Sequence, residues 1–157
     1  MNDITAKELI EILNLEPHPE GGYFKESYRA EGAIDGRSHS TAIYYLLEGG
    51  QRSRLHRLKF DELWHFYLGE PLTVVEISLK GSVTETMLGP DLRKGQRPQH
   101  VVKAGTWFGA YLDASKSFAL IGCTVAPGFD FADFEMAERN ELLRKYPEAK
   151  NMIETLT

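Results

Sequence analysis

Between Gly21 and about Val125 the chain consists almost entirely of short runs rich in Tyr, Phe, Val, Ile and Thr, cut at close intervals by glycine-bearing turns. β-branched and aromatic residues fit a pleated, half-buried surface, and runs this short cannot build long helices or cross a bilayer, which takes about 20 consecutive apolar residues. The candidate strands are Tyr23 to Tyr28, Thr41 to Leu47, Arg54 to Phe60, Leu63 to Leu68, Thr73 to Ser78, Thr84 to Leu88, His100 to Val102, Trp107 to Leu112 and Phe118 to Val125. So many short strands imply an antiparallel sandwich or barrel. The links Glu48-Gly49-Gly50, Gly69-Glu70-Pro71, Lys80-Gly81-Ser82 and Ala104-Gly105 are short enough for hairpin turns, whereas Gly89 to Gln99 is a longer polar excursion carrying a proline. No internal repeat is visible.

Helical signals flank this region. Thr5-Ala6-Lys7-Glu8 has the spacing of a capping box, with Ile4 and Leu9 placed as a hydrophobic staple. The pattern carries Leu9, Ile12 and Leu13 on one face and stops at Asn14, before Pro17 and Pro19. After Pro127-Gly128 the helical period returns with Leu142, Leu143 and Tyr146, and Pro147 opens a last short helix bearing Met152, Ile153 and Leu156. The expectation is one domain over residues 1–157, all-β with terminal helices: an N-terminal helix in 1–17, a β-barrel over 18–130 and C-terminal helices over 131–157.

Composition supports this. At 157 residues, 42% hydrophobic and 26% charged, the chain can bury a sizeable core. A net charge of −5 argues against a nucleic-acid surface. The lone Cys123 offers neither an intrachain disulfide nor a thiolate-rich zinc site, which suggests a reducing compartment. The start, Met1-Asn2-Asp3-Ile4, lacks the basic and then apolar pattern of a secretory signal, so a cytoplasmic protein without membrane contact is expected.

The chemistry concentrates after Gly50. Five residues lead to His56, one more to Leu58, three more to Glu62 and six more to Gly69. Residues two apart on a strand face the same side, so His56 and position 58 point together, and a turn returns Glu62 toward them. This spacing resembles the first cupin motif, with Leu58 at its second histidine; Lys103-Ala104-Gly105-Thr106-Trp107-Phe108 is similar to the second motif, with Phe108 at its histidine. His18-Pro19-Glu20-Gly21-Gly22-Tyr23-Phe24, with Glu26 and Tyr28 after it, Thr41 to Leu47, Trp64-His65-Phe66-Tyr67 and Cys123 to Phe129 resemble the small-cupin family cupin 5, or DUF985. The resemblance implies a double-stranded β-helix (jelly-roll) barrel, usually a homodimer, related to germin-like seed-storage proteins and deoxysugar 3,5-epimerases.

The cupin metal trio is incomplete, because Leu58 and Phe108 offer no donor atoms; the expected site is metal-free, with a divalent metal at His56 and Glu62 as the alternative. In the epimerases the first-motif histidine is a base beside a carbonyl, which makes His56 the lead candidate, with Glu62 or Glu26 orienting its ring. Arg54, two residues earlier, should share its inward face and hold an anionic group. Glu26 and Tyr28 on the first strand, Trp64 and Phe66 as an aromatic wall, and Leu58, Phe60 and Phe108 as apolar lining complete the expected substrate site. Trp64, Phe66 and Phe108 are also simple core fillers, His18, His39, His65 and His100 read as structural, and Cys123 as a buried inert thiol. Three functions follow: a metal-independent isomerase or epimerase acting on a sugar, sugar nucleotide or keto acid; a metal-dependent cupin enzyme; or a non-catalytic ligand-binding or structural barrel.

Overall fold

In the computed structural model, which describes residues 4–113 and 117–157, strands adjacent in sequence rarely pair. In chain order they are β1 (Glu16–Pro17), β2 (Tyr23–Arg29), β3 (Ala33–Ile34), β4 (Arg37–Ser38), β5 (Thr41–Glu48), β6 (Arg52–Arg57), β7 (Glu62–Gly69), β8 (Leu72–Ile77), β9 (Val83–Leu88), β10 (Gln99–Val102), β11 (Trp107–Tyr111), β12 (Phe118–Val125) and β13 (Glu135–Met136). One antiparallel sheet runs β1-β2-β5-β12-β7-β10 and a second β13-β6-β11-β8-β9, with β3 and β4 forming a separate hairpin. Two sheets packed face to face with the chain alternating between them make a jelly roll.

The connections correct one expectation. Of the four glycine-bearing links, only Lys80-Gly81-Ser82 closes a hairpin, between β8 and β9. Gly49-Gly50, Gly69-Glu70-Pro71 and Ala104-Gly105 instead carry the chain across the sandwich, from β5 to β6, β7 to β8 and β10 to β11. A short turn with positive φ, 86° at Gly50 and 96° at Gly69, serves either purpose, so length alone does not separate them. The Gly89 to Gln99 excursion holds a 3₁₀ turn at Leu92–Lys94 and returns to the edge of the sheet through a bridge from Leu88 to Arg97.

Apolar residues fill three layers. Between the sheets lie Tyr45, Leu47, Trp64, Val74, Phe108 and Ile121, all buried. Helix α1 (Ala6–Ile12), closed by the Thr5–Glu8 capping box, packs Leu9 against Leu46 and Leu120 on the outside of the six-stranded sheet. Helices α2 (Arg139–Lys145) and α3 (Lys150–Leu156) set Leu142, Ile153 and Leu156 against Leu55, Ile77 and Trp107 on the outside of the other sheet. No helix among the described residues is long and apolar enough to cross a membrane.

Three register shifts break strict alternation among the described residues; one leaves Tyr67 of β7 extra opposite β12, and the other two bear on the cavity. Opposite β5, Glu26 pairs with Ile43 and Tyr28 with Ala42, so Ser27 is the extra residue. Opposite β11, His56 pairs with Phe108 and Ser53 with Ala110, so Arg54 and Leu55 share the space facing Gly109. An extra residue reverses the parity of all that follows. Ser53 and His56 therefore face inward together, Arg54 is turned out to solvent, and Tyr28, 56% exposed, leaves the interior to Arg29.

Gly109 is what lets the β6 bulge close: a Cβ there would lie 2.5 Å from the Ser53 carbonyl oxygen and 3.3 Å from the Leu55 nitrogen. Gly109→Ala is expected to destabilise the protein by about 1–3 kcal/mol, read from urea unfolding, because backbone rather than a yielding side chain occupies the space. A variant as stable as the parent would show that the bulge has slack.

Candidate functional site

A cavity of about 370 Å³ lies between the sheets, and both sheets contribute to it. Phe24, Glu26 and Arg29 come from β2, Thr41 and Ile43 from β5, and Cys123 and Val125 from β12. His56 enters from β6 of one sheet and Glu62 from β7 of the other, so the two residues face each other across the sandwich rather than from paired strands.

His56 is 2% exposed and both its ring nitrogens are engaged. Nδ1 lies 2.7 Å from the carbonyl oxygen of Arg54; a carbonyl only accepts, so Nδ1 carries a proton. Nε2 lies 2.9 Å from Glu20 Oε2, a contact that holds a second proton between imidazole and carboxylate. Burial alone would push the His56 imidazole down, but the Glu20 charge beside it overrides this and holds the ring above its ordinary value. Burial likewise works to raise the Glu20 carboxyl, and is outweighed by His56 and by a hydrogen bond from Ser53 Oγ to Oε1 at 3.0 Å, which keep it low. The pair is an imidazolium facing a carboxylate.

Glu20 reaches that position because the chain before β2 presses against the start of β6. Gly21, at φ 110°, packs so closely that a Cβ would overlap the Arg52 carbonyl oxygen, and its own carbonyl accepts the Tyr45 hydroxyl at 2.6 Å. His18 closes the same corner: its Nδ1 accepts the Glu20 backbone N–H at 3.1 Å, and its ring meets Phe24 edge-on with centroids 4.6 Å apart. Burial leaves His18 below its ordinary value, and so less readily charged than His56.

Glu62 is different. It is 7% exposed, and its Oε2 is buried without a hydrogen-bond partner among the described residues. Burial drives its carboxyl from an ordinary 4.5 to about 7, with the Glu20 charge adding to the rise and His56 opposing it. The Cys123 thiol shares this wall and is raised well above its ordinary value, first by burial and then by the neighbouring Glu62.

The mouth is roofed by the segment after β12. Phe129, Phe131 and Phe134 form an aromatic cluster with centroids 4.9–6.3 Å apart, and Phe131 remains 51% exposed. Three arginines from the barrel fasten this roof: Arg29 Nη2 donates to the Phe129 carbonyl at 3.2 Å, Arg37 lies 2.7 Å from Asp133, and Arg57 lies 2.7 Å from Glu135. Arg29 is itself held bidentately by Glu26, at 2.9 and 2.8 Å.

Of the residues expected from sequence to form the site, His56, Glu62 and Glu26 line the cavity. Arg54 does not: its guanidinium is exposed and donates to the Pro19 carbonyl at 2.5 Å, while its own carbonyl fixes the His56 ring. Tyr28 is turned out by the Ser27 bulge. Trp64 and Phe108, each 1% exposed, and the partly buried Phe66 belong to the apolar core instead of the lining, since a small barrel fills its interior with its largest side chains. Phe108 nonetheless packs on the imidazole, ring centroids 4.1 Å apart. His65 faces away, bonded to Thr124 and Gln99.

Sequence reasoning passed over His18, Glu20, Arg29 and the roof phenylalanines. The usable signal was His18-Pro19-Glu20-Gly21-Gly22, where two ionisable side chains stand beside glycines that permit close backbone approach. A divalent ion is the usual occupant of cupin barrels, but the donor set here does not fit one. Leu58 and Phe108 carry no donor atoms, Nε2 of His56 is taken by Glu20, and among the described residues no three His, Cys, Asp or Glu side chains are grouped to hold a metal.

A double-sheet jelly roll enclosing a polar cavity defines a cupin, and the chain belongs to that superfamily. Within it, the family described as Cupin superfamily (DUF985) matches residues 7–137, and the chain is a member of that family. The uncharacterized protein YML079W of Saccharomyces cerevisiae is 29% identical over 158 residues, covering 89% of this chain and 79% of its own. The crystal structure of protein SO0799 from Shewanella oneidensis is 42% identical with a TM-score of 0.95, over 99% of this chain and 98% of that one. A hypothetical protein from Leishmania major is 32% identical with a TM-score of 0.92, over 98% and 99% of the two chains. Oxalate decarboxylase from Bacillus subtilis, at 14% identity and a TM-score of 0.58 over 90% of this chain and 36% of its own, shares the fold.

Two measurements test the electrostatics. Replacing Glu20 by Gln removes the charge that holds the His56 imidazole up, so its pKa should fall in an NMR titration of the ring nitrogens; an unmoved value would mean the charge resides elsewhere. The folded Glu62 keeps its proton to about pH 7 while the unfolded chain releases it near 4.5, so stability is lost as pH rises through that window. Glu62→Gln should flatten the slope, gaining about 3 kcal/mol on the parent between pH 4 and 8 in urea melts, and parallel curves would contradict the raised value.

Proposed function

We propose that the cavity binds a small carbonyl compound and moves a proton at the carbon next to the carbonyl, as an isomerase or epimerase does, with chemistry that needs no metal. The observation that carries this is the unpartnered Oε2 of Glu62, a carboxyl poised near neutrality, opposite the proton shared by His56 and Glu20. A general base works best when its pKa lies near the working pH.

In this reading the roles differ from a simple histidine base. Both nitrogens of His56 are occupied, so Glu62 takes the proton: the C–H bond breaks, its proton passes to Oε2, and the electron pair moves into the carbonyl to give an enolate. On the other wall the His56 Nε2 proton rests on Glu20, and only a developing oxyanion, far more basic than a carboxylate, competes with Glu20 for it. Returning the proton to the same face restores the configuration, and delivery to the opposite face, from solvent, inverts it; in an α-hydroxy carbonyl compound the hydroxyl proton passes to the oxyanion and the carbon-bound proton returns to the former carbonyl carbon, which isomerises the compound. Ser53 Oγ and the Arg54 carbonyl keep the pair oriented. The Phe roof and the apolar wall of Ile43, Leu58 and Val125 exclude water, which strengthens these charges.

The test is exchange of carbon-bound hydrogen in D₂O, followed by NMR over a panel of small ketones, aldehydes and sugars. The intact protein should label at least one of them, and Glu62→Gln should slow labelling by about 10²–10⁴-fold. Labelling that survives Glu62→Gln, or a panel left unlabelled by the intact protein, would count against the assignment.

A further inference from the structure

The charges around the cavity narrow what it can hold. Four carboxyl groups line it, from Glu20, Glu26, Glu62 and Asp130, against one guanidinium and two imidazoles. The guanidinium charge is already matched: Arg29 is bound by both oxygens of Glu26 through Nε and Nη2, and Nη2 also donates to the Phe129 carbonyl. His56 is committed to Glu20 in the same way. An anion entering here would meet four carboxyl groups, and the two cations it could approach, Arg29 and His56, are each already balanced by a glutamate.

Aromatic rings share the lining with those carboxyl groups. Phe24, Phe129, Phe131 and Phe134 all line the cavity, and a π-face attracts a cation within about 6 Å of its centre. Phe131 stands half-exposed at the mouth beside Asp130, whose Oδ1 accepts the Ala132 N–H at 2.8 Å and so holds its carboxylate at the rim. At the inner end, Glu62 Oε2 is buried and has no well-formed hydrogen bond among the described residues; the nearby Cys123 thiol and Trp64 indole only partly offset the burial of its carboxyl. Rim carboxylate, aromatic rings and an inner oxygen without a well-formed hydrogen bond together describe a receptor for positively charged N–H.

Resting on the proton-transfer reading of the same cavity, we infer that its natural ligand is a small organic ammonium compound, with a protonated amine seated among the phenylalanines and carboxylates, and that sugar nucleotides and keto acids are excluded by their charge. An amine next to the reacting carbon also fits the chemistry, because a neighbouring positive charge eases loss of the carbon-bound proton.

Three probes of one shape and different charge test this by calorimetry on the full chain at pH 7: benzylamine, benzyl alcohol and benzoate. Benzylamine, a cation at that pH, should bind about tenfold more tightly than benzyl alcohol, with benzoate weakest. Asp130→Asn, which keeps an oxygen for the Ala132 N–H, and Phe131→Leu, which keeps an apolar side chain, should each shrink the preference while leaving the melting temperature in place. Benzoate binding as tightly as benzylamine, or no binding by any of the three, overturns the inference. Failure here with carbon exchange still dependent on Glu62 leaves the proton-transfer reading standing; binding of benzylamine with no carbon exchange does the reverse.

Discussion

A buried imidazolium facing a buried carboxylate is the contact on which this molecule turns. Removing both charges from water costs several kcal/mol each, and the cost is met only because every remaining polar atom of the pair finds a partner. Ser53 serves Glu20, the Arg54 carbonyl serves the His56 ring, and Phe108, tilted at 54° with its centroid 4.1 Å away, covers the imidazole against solvent. The pair also joins pieces distant in sequence: Glu20 precedes the first long strand, and His56 belongs to the opposite sheet. Specific orientation rather than stability is the gain, since apolar residues of equal volume would hold the sheets together as well.

Glu62 stands outside this balance. With one oxygen left unpartnered in a dry wall, it is the group whose protonation changes most readily near neutral pH, and the fold tolerates it because a neutral carboxyl is far cheaper to bury than a charged one. Active sites commonly keep such groups, destabilised by their surroundings and stabilised only when a ligand arrives.

How much of this was legible in the sequence depends on how local each signal is. The Thr5–Glu8 cap and the Pro147 helix start are set within a few residues, and both appear where the pattern puts them. The nine principal strands follow from composition and turn residues, with ends that move by one to three positions. Strand partners were not legible: the Gly50, Gly69 and Gly105 turns send the chain across the sandwich, a choice made by where the neighbouring strands bury their apolar faces. Inward facing was legible at His56, Glu62 and Glu26 and failed at Arg54 and Tyr28, because each error lies just beside a bulge, which no alternating pattern announces. Glu20 escaped because its role is created by contact with a strand thirty-odd residues later, whereas the cupin spacing around His56 is written in one continuous stretch.

The three arginine clasps hold the roof from the cavity's own rim and from beyond it, and so decide how its ceiling hangs. Arg29, Arg37 and Arg57 belong to separate strands, and each grips a different point of one short stretch of chain. The roof is thereby held by contacts distinct from those that hold the His56–Glu20 pair. Because Phe134 of that stretch lies 5.2 Å from the His56 ring, loosening a clasp would be felt at the buried pair beneath as well as at the doorway.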